Sequence, residues 1–209
     1  MSKIMKKILL YLIIICVSVS VISQTQAIYA STPQKAIKAY KKFLKQNSYT
    51  IDSVSYDMQK SQFAIKDINN DRVKELIMFP NTDAMCTFVI YSFYKGKIRY
   101  VLSAGHSEVG YFNKKSVFVS EGGSMGIKTV NYFVYKKGKL RDIASFSDYT
   151  YFDSTMNNEY RVSGKKVSKR LFYKILKKKY KISKPRKYKY IFGNKRYAVT
   201  KKNIKKYVK

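Results

Sequence analysis

Short apolar runs separated by lysine–glycine turns constrain this chain more than any other feature. Thr87 to Tyr94 and Ile98 to Leu102 flank Lys95-Gly96-Lys97. Thr129 to Tyr135 and Leu140 to Ile143 flank Lys136-Lys137-Gly138-Lys139 in the same way. Strand-length runs around a glycine turn predict antiparallel hairpins. Tyr111-Phe112 and Val117 to Val119 around Asn113-Lys114 predict a third. Apolar alternation with a period of two begins at Ser61, with Phe63 and Ile65, and a second run follows from Val73 to Phe79. Twenty tyrosines and twelve phenylalanines, with no tryptophan, supply bulk of the kind that strands favour.

Two of these hairpins repeat one another. Phe93-Tyr94-Lys95-Gly96-Lys97-Ile98-Arg99 resembles Val134-Tyr135-Lys136-Lys137-Gly138-Lys139-Leu140-Arg141, and Tyr111-Phe112 resembles Tyr151-Phe152 about forty residues on. A strand-only period of that length is also that of a propeller blade. The chain has room for about three such units, whereas propellers usually have at least four. An antiparallel β-meander of successive hairpins is the expectation.

Helical periodicity is confined to the two ends. Thr32-Pro33 reads as an N-cap followed by proline in the first turn, and Ala36, Ile37, Tyr40, Phe43 and Leu44 recur at steps of three and four up to Asn47. Near the C-terminal end, Tyr160-Arg161-Val162 turns at Ser163-Gly164 into a helix expected from Val167 to Lys179. Its buried stripe is expected at Val167, Leu171, Ile175 and Leu176. Thr200 caps a short last helix with Ile204, Tyr207 and Val208 on one face. Lys/Tyr-rich Tyr180 to Tyr197, broken at Pro185, reads as partly extended and mobile. The fold class expected is α+β: an N-terminal helix, an antiparallel meander and C-terminal helices.

The first thirty residues carry an address. Lys3, Lys6 and Lys7 precede the mostly apolar Ile8 to Ile22, and small residues follow at Ala27 and Ala30. That order is a secretory signal peptide, and the apolar run is shorter than the roughly 20 residues of a spanning helix. Cleavage before Ile28 or Ser31 leaves a mature form with no transmembrane span. The organisation expected is a signal peptide over 1–30, an α+β domain over 31–179, and a basic segment with a short terminal helix over 180–209. Cys16 leaves with the signal and Cys86 remains alone, so no intramolecular disulfide forms.

The 43 basic and 12 acidic side chains are unevenly placed. Residues 31–159 hold 19 basic and all 12 acidic side chains, whereas 160–209 hold 21 basic and none acidic. Such an end attracts any polyanion. Lys177, Lys178, Lys179, Arg186, Lys187 and Lys189 are the polyanion-binding candidates. Interleaved tyrosines suit a nucleic-acid strand, bound without sequence preference. For an exported protein the abundant polyanions are instead anionic cell-wall polymers and anionic lipid headgroups. The plain alternative is a solvated face in a lysine-rich proteome.

One loop has metal-ligand spacing. Asp67, Asn69 and Asp71 stand at steps of two, the Val73 carbonyl occupies the seventh place and Glu75 the ninth, a pattern that wraps Ca²⁺ in oxygen. It is not a full EF-hand, because Met78 stands where the bidentate Glu belongs and Arg72 where Gly makes the turn. The alternative is a tight turn in which Asp and Asn satisfy backbone groups without metal. The nine-residue pattern resembles the strand-flanked calcium loops of the integrin-type repeat. Phe63-Ala64 through Asp67-Ile68-Asn69-Asn70-Asp71 to Glu75-Leu76 also resembles a stretch, F-A-x-x-D-I-N-x-D-x-x-x-E-L, in secreted proteins of low-GC Gram-positive bacteria. Gly122-Gly123-Ser124-Met125-Gly126 and Val162 to Ser168 resemble the same group. The group has no assigned activity, so the resemblance implies export and a small α+β domain but no substrate.

Catalytic constellations are sparse. His106 is the sole histidine, which excludes two-His metal sites within the chain. A Cys86–His106 nucleophile pair has no supporting motif, since Cys86 lies in an apolar run. His106 and Glu108, two residues apart, would serve a small extracellular hydrolase or nuclease, against the plain reading of two polar loop residues. Gly122 to Gly126 lacks phosphate-loop spacing and reads as a strand connection. The expectation is a secreted, non-catalytic protein held electrostatically at the bacterial envelope. The alternatives are the His106 hydrolase and a calcium-stabilised interaction module.

Overall fold

The computed structural model describes residues 32–81, 88–105, 108–113, 115–124, 126–149, 158–185 and 187–209. The expected signal peptide over 1–30 therefore lies outside the described residues, as do Cys86, His106 and Arg186. Residues 32–43 form helix α1, which buries Ala36 and Tyr40 and continues into buried Leu44. Hairpin β1 (Ser48–Ile51) and β2 (Val54–Asp57) follows, turning at Asp52-Ser53, both with positive φ.

Two antiparallel sheets form the body. The first has five strands in the order β14-β3-β4-β5-β6: β14 (Tyr197–Ala198), β3 (Gln62–Lys66), β4 (Glu75–Phe79), β5 (Phe88–Tyr94) and β6 (Lys97–Ala104). The second has seven, β12-β11-β10-β9-β8-β7-β13. Its strands are β7 (Glu108–Phe112), β8 (Val117–Ser124), β9 (Ile127–Lys136), β10 (Lys139–Asp148), β11 (Glu159–Val162), β12 (Lys165–Lys166) and β13 (Lys189–Tyr190). Helix α2 is Lys169–Tyr180 and α3 is Lys201–Tyr207. The class is α+β with mostly antiparallel sheet.

Strand alternation assigns each face to one of three cores. Phe63, Leu76, Met78, Val89 and Phe93 pack with Tyr40 and Leu44 of the α1 end and Ile204 of α3. Their sequence neighbours Ala64, Ile77, Phe88 and Ile90 point the other way, against Val109, Tyr111, Phe118 and Tyr135 of the seven-stranded sheet. The far face of that sheet, with Phe112, Val119, Tyr132 and Phe146, packs on Phe172 and Leu176 of α2. The layers run helix, sheet, sheet, helix. Both faces of β4 are covered, which is why all five of its residues are buried.

The structure departs from the sequence reading in three places. The expected meander is two meanders stacked face to face. The buried stripe of α2 is Phe172 and Leu176, with Leu171 41% exposed. Ser168 caps the helix by accepting from the Leu171 N–H at 3.3 Å, and Phe172 meets the rings of Tyr132 and Tyr160, so the buried face lies one residue on from the one expected. The segment after Tyr180 is joined to both sheets. Lys189 and Tyr190 pair with Tyr111 and Gly110, Tyr197 and Ala198 pair with Phe63 and Gln62, and Ile182 and Ile191 are buried. It therefore belongs to the same body as residues 32–179.

Among the described residues no helix is long and apolar enough to cross a membrane. The α2 phase yields a direct test by urea unfolding. Leu176→Ala is expected to cost about 2–5 kcal/mol, and Leu171→Ala to stay within about 0.5 kcal/mol.

Candidate functional site

The Asp67–Glu75 loop joins β3 to β4 at the junction of the layers. Ile68, fully buried, enters the core between the sheets, and Val73 enters the core beneath α1. The intervening side chains hold the backbone. Asp67 accepts from the N–H of Asn70 at 2.7 Å and of Arg72 at 3.2 Å. Asn69 Oδ1 accepts from the Asp71 N–H at 3.0 Å, and Asp71 Oδ1 from the Val73 N–H at 2.8 Å. Asn69 Nδ2 donates to Asp71 Oδ2 at 2.9 Å. Asn70 and Arg72 adopt φ of 62° and 71°, so Arg72 occupies the left-handed conformation that Gly favours in calcium loops. Ser116, from the β7–β8 turn, donates to the Asn69 carbonyl at 3.2 Å and ties the loop to the second sheet.

Glu75 lies beneath this loop at 1% exposure. Its carboxyl accepts from the Ile68 N–H at 2.8 Å and from the Ser92 hydroxyl at 3.3 Å. The loop thus brings Asp67, Asn69 and Asp71 together, while Glu75 is turned into the protein. Among the described residues no group of three His, Cys, Asp or Glu side chains is arranged to hold a metal. The hydroxyls of Tyr40 and Tyr135 are buried without a hydrogen bond of ordinary geometry. Burial, then the negative charge of Glu75, pushes the Tyr40 hydroxyl far up; for Tyr135 burial also raises, opposed by the nearby Ser92 hydroxyl. Sequence reading missed Tyr40, Ser92 and Tyr135. The available signal was Ser92, the one polar residue within Phe88–Tyr94.

The outer surface beside the loop is basic. A groove of about 830 Å³ is lined by Lys38, Lys41, Lys42 and Lys45 of the α1 segment, Arg72 and Lys74 of the loop, and Lys209. Pro33, Ile37 and the lysine stems give it an apolar floor. Of the expected polyanion residues, Lys177, Lys178 and Lys179 occupy the last turn of α2, where cations also suit the helix dipole. Lys187 and Lys189 are exposed on the following segment. That segment is pinned: the Tyr188 ring packs edge-on to Phe112 at 5.9 Å, and its hydroxyl donates to Glu121. A Cβ at Gly110 would lie 2.2 Å from the Tyr188 ring, so the seat requires glycine. The glycine-rich stretch near 122–126 ends β8 and turns into β9, with Ser124 opposite Ile127, as a strand connection does. Glu108 is exposed at the start of β7.

Burial raises Glu75 from the usual carboxylate range to about 8; the Ile68 N–H opposes this, Asp71 and Asp67 add to it, and Ser92 opposes it again. The folded value is above the unfolded one, so the folded state binds this proton more tightly. The associated stability is fully present below about pH 4.5 and is lost as pH rises through about 8. Melting temperature measured from pH 5 to 9 should fall for the parent relative to Glu75→Gln, whose amide cannot ionise.

No family model matches the chain, and neither a curated protein nor a solved structure matches it significantly.

Proposed function

We propose that this is an exported, non-catalytic protein that attaches electrostatically to anionic polymer or anionic lipid of the bacterial envelope. The observation carrying this reading is that the basic end is part of the folded body. Lys177, Lys178, Lys179, Lys187 and Lys189 stand exposed on α2 and on a segment paired to β7, within fifty residues that hold no acid. Among the described residues, the ion pairs Lys128–Glu121, Arg161–Glu159 and Lys166–Glu159 engage two carboxylates only. The cations around the α1 groove extend the same field. A nucleic acid would be attracted by that field without sequence preference.

Retention on purified anionic wall polymer should fall steeply with salt as released counterions cease to drive binding. Replacing Lys177, Lys178, Lys179, Arg186, Lys187 and Lys189 with Gln should weaken retention and flatten its salt dependence, with circular dichroism unchanged. Equal retention of this variant at equal salt would remove the basic end from the attachment.

A second reading has its own observation: Asp67, Asn69 and Asp71 gather their oxygens in one loop around a left-handed Arg72. Under that reading the loop holds Ca²⁺ and stabilises an interaction module. Millimolar Ca²⁺ should then raise the melting temperature over a chelator control, and Asp71→Ala should abolish the rise. An unchanged parent would leave the loop as a metal-free turn. The hydrolase alternative depends on His106, which lies outside the described residues.

A further inference from the structure

The two hairpins that repeat in sequence also meet in space. Hairpin β5–β6 pairs Tyr94 with Lys97 across Lys95-Gly96, and β9–β10 pairs Lys136 with Lys139 across Lys137-Gly138. The registers correspond position by position: Lys95 with Lys137, Gly96 with Gly138, and Arg99 with Arg141, which face Ser92 and Val134 respectively. Both turns have positive φ at both central residues, 50° and 79° in the first and 54° and 73° in the second. The tips touch, because a Cβ on Gly138 would lie 2.6 Å from the Tyr94 ring. Between them is a groove of about 590 Å³ lined by Lys95, Arg99, Lys136, Lys137, Lys139 and Arg141, with no acidic side chain.

This arrangement is unfavourable for folding alone. The first turn position favours Asn, Asp or Gly, and another residue in the left-handed conformation costs about 1–2 kcal/mol. Lysine occupies it in both hairpins. Lys136 and Lys139 stand directly opposite, a like-charge pair that destabilises a sheet. The six cations stand on ordered backbone, at strand ends and two-residue turns, so their attachment points are fixed relative to one another, unlike those of a disordered tail.

We propose that this groove is a discrete site for a short run of consecutive phosphates, such as one stretch of a phosphodiester chain. Two guanidinium groups offer paired donors that match phosphate oxygens, and the lysines supply point charges on either side. Tyr94 is the one aromatic side chain lining the groove, with Gly138 against its ring and Lys95 Nζ 5.9 Å from its centroid; a lone, cation-flanked ring is not the row of stacking platforms that tracks bases, which favours a polymer without bases. The inference deepens the envelope reading and rests on it.

Lys95→Asn/Lys137→Asn tests it with a variant expected to fold better than the parent. Asn suits the left-handed position and lowers the local repulsion, so melting temperature should rise. Affinity for inorganic tripolyphosphate, by calorimetric titration at about 0.15 M salt, where the Debye length is about 8 Å, should fall about tenfold, as the loss of two phosphate partners implies. The Gln variant of the basic C-terminal end should keep tripolyphosphate affinity within about twofold, since its charges are screened at a distance. No binding by the parent, or equal affinities for parent and Asn variant, overturns the site. Equal losses in the Asn and Gln variants also overturn it, in favour of a diffuse field. In each of these outcomes the wall-polymer retention assay judges the envelope reading separately.

Discussion

The bond from the Ile68 N–H to the buried carboxyl of Glu75 ties the parts of this fold together. A carboxyl removed from water is costly unless bonded, and here the loop backbone and the Ser92 hydroxyl of β5 supply the donors. The same bond fixes where the loop enters, so that Ile68 reaches the core between the sheets while Val73 reaches the core under α1. Every second residue of Asp67-Ile68-Asn69-Asn70-Asp71-Arg72-Val73-Lys74-Glu75 therefore has a structural task. Asp67, Asn69 and Asp71 hold backbone N–H groups, and Ser116 of the second sheet closes on the Asn69 carbonyl. A metal would add to this arrangement rather than create it, because its scaffold is already satisfied by protein groups.

What was legible in the sequence is what local chemistry decides. Lys95-Gly96-Lys97 and Lys136-Lys137-Gly138-Lys139 marked hairpin turns, and both strand pairs form around them, with the register narrowing each turn to two residues, Lys95-Gly96 and Lys137-Gly138. Thr200 was readable as a helix start and accepts the N–H of Asn203, whereas the start of α2, expected at Val167, is set by Ser168, which accepts the N–H of Leu171. The split into two sheets was not legible. It depends on which apolar face meets which, and Phe88–Tyr94 is apolar toward both sides. The α2 stripe was misphased because Leu171, Phe172, Ile175 and Leu176 offer two overlapping apolar faces, and only contact with Tyr132 and Tyr160 selects Phe172.

The Lys/Tyr-rich segment looked only partly extended, and mobile, for a related reason. Its strands are two residues long, too short for any periodic signal. They form because tyrosine rings anchor them: Tyr188 against Phe112 and Gly110, and Tyr197 stacked on Tyr207 of α3 at 3.6 Å. Aromatic pairs contribute beyond the area they bury, and the rings here are spaced among lysines rather than clustered in one run. Composition suggested a nucleic-acid strand tracker, but several of the tyrosines that prompted this are packed inward.

That use of tyrosine bears on the charge. A chain with 43 cations and 12 anions works against its own compaction, and a disordered basic tail would relieve the repulsion at no cost in packing. Instead the tyrosines fix the basic segment to the edges of both sheets, and tight turns fix the cations of the hairpin tips. Under the proposed attachment, the backbone carrying these cations needs no further ordering when a polyanion binds, so less conformational entropy opposes association than for a flexible tail. Counterion release would then drive binding against side-chain and rigid-body entropy, without a backbone ordering cost. The folded body has absorbed the repulsion that a flexible tail would have avoided, and the proposed attachment is the reading under which that cost is offset by a bound anion.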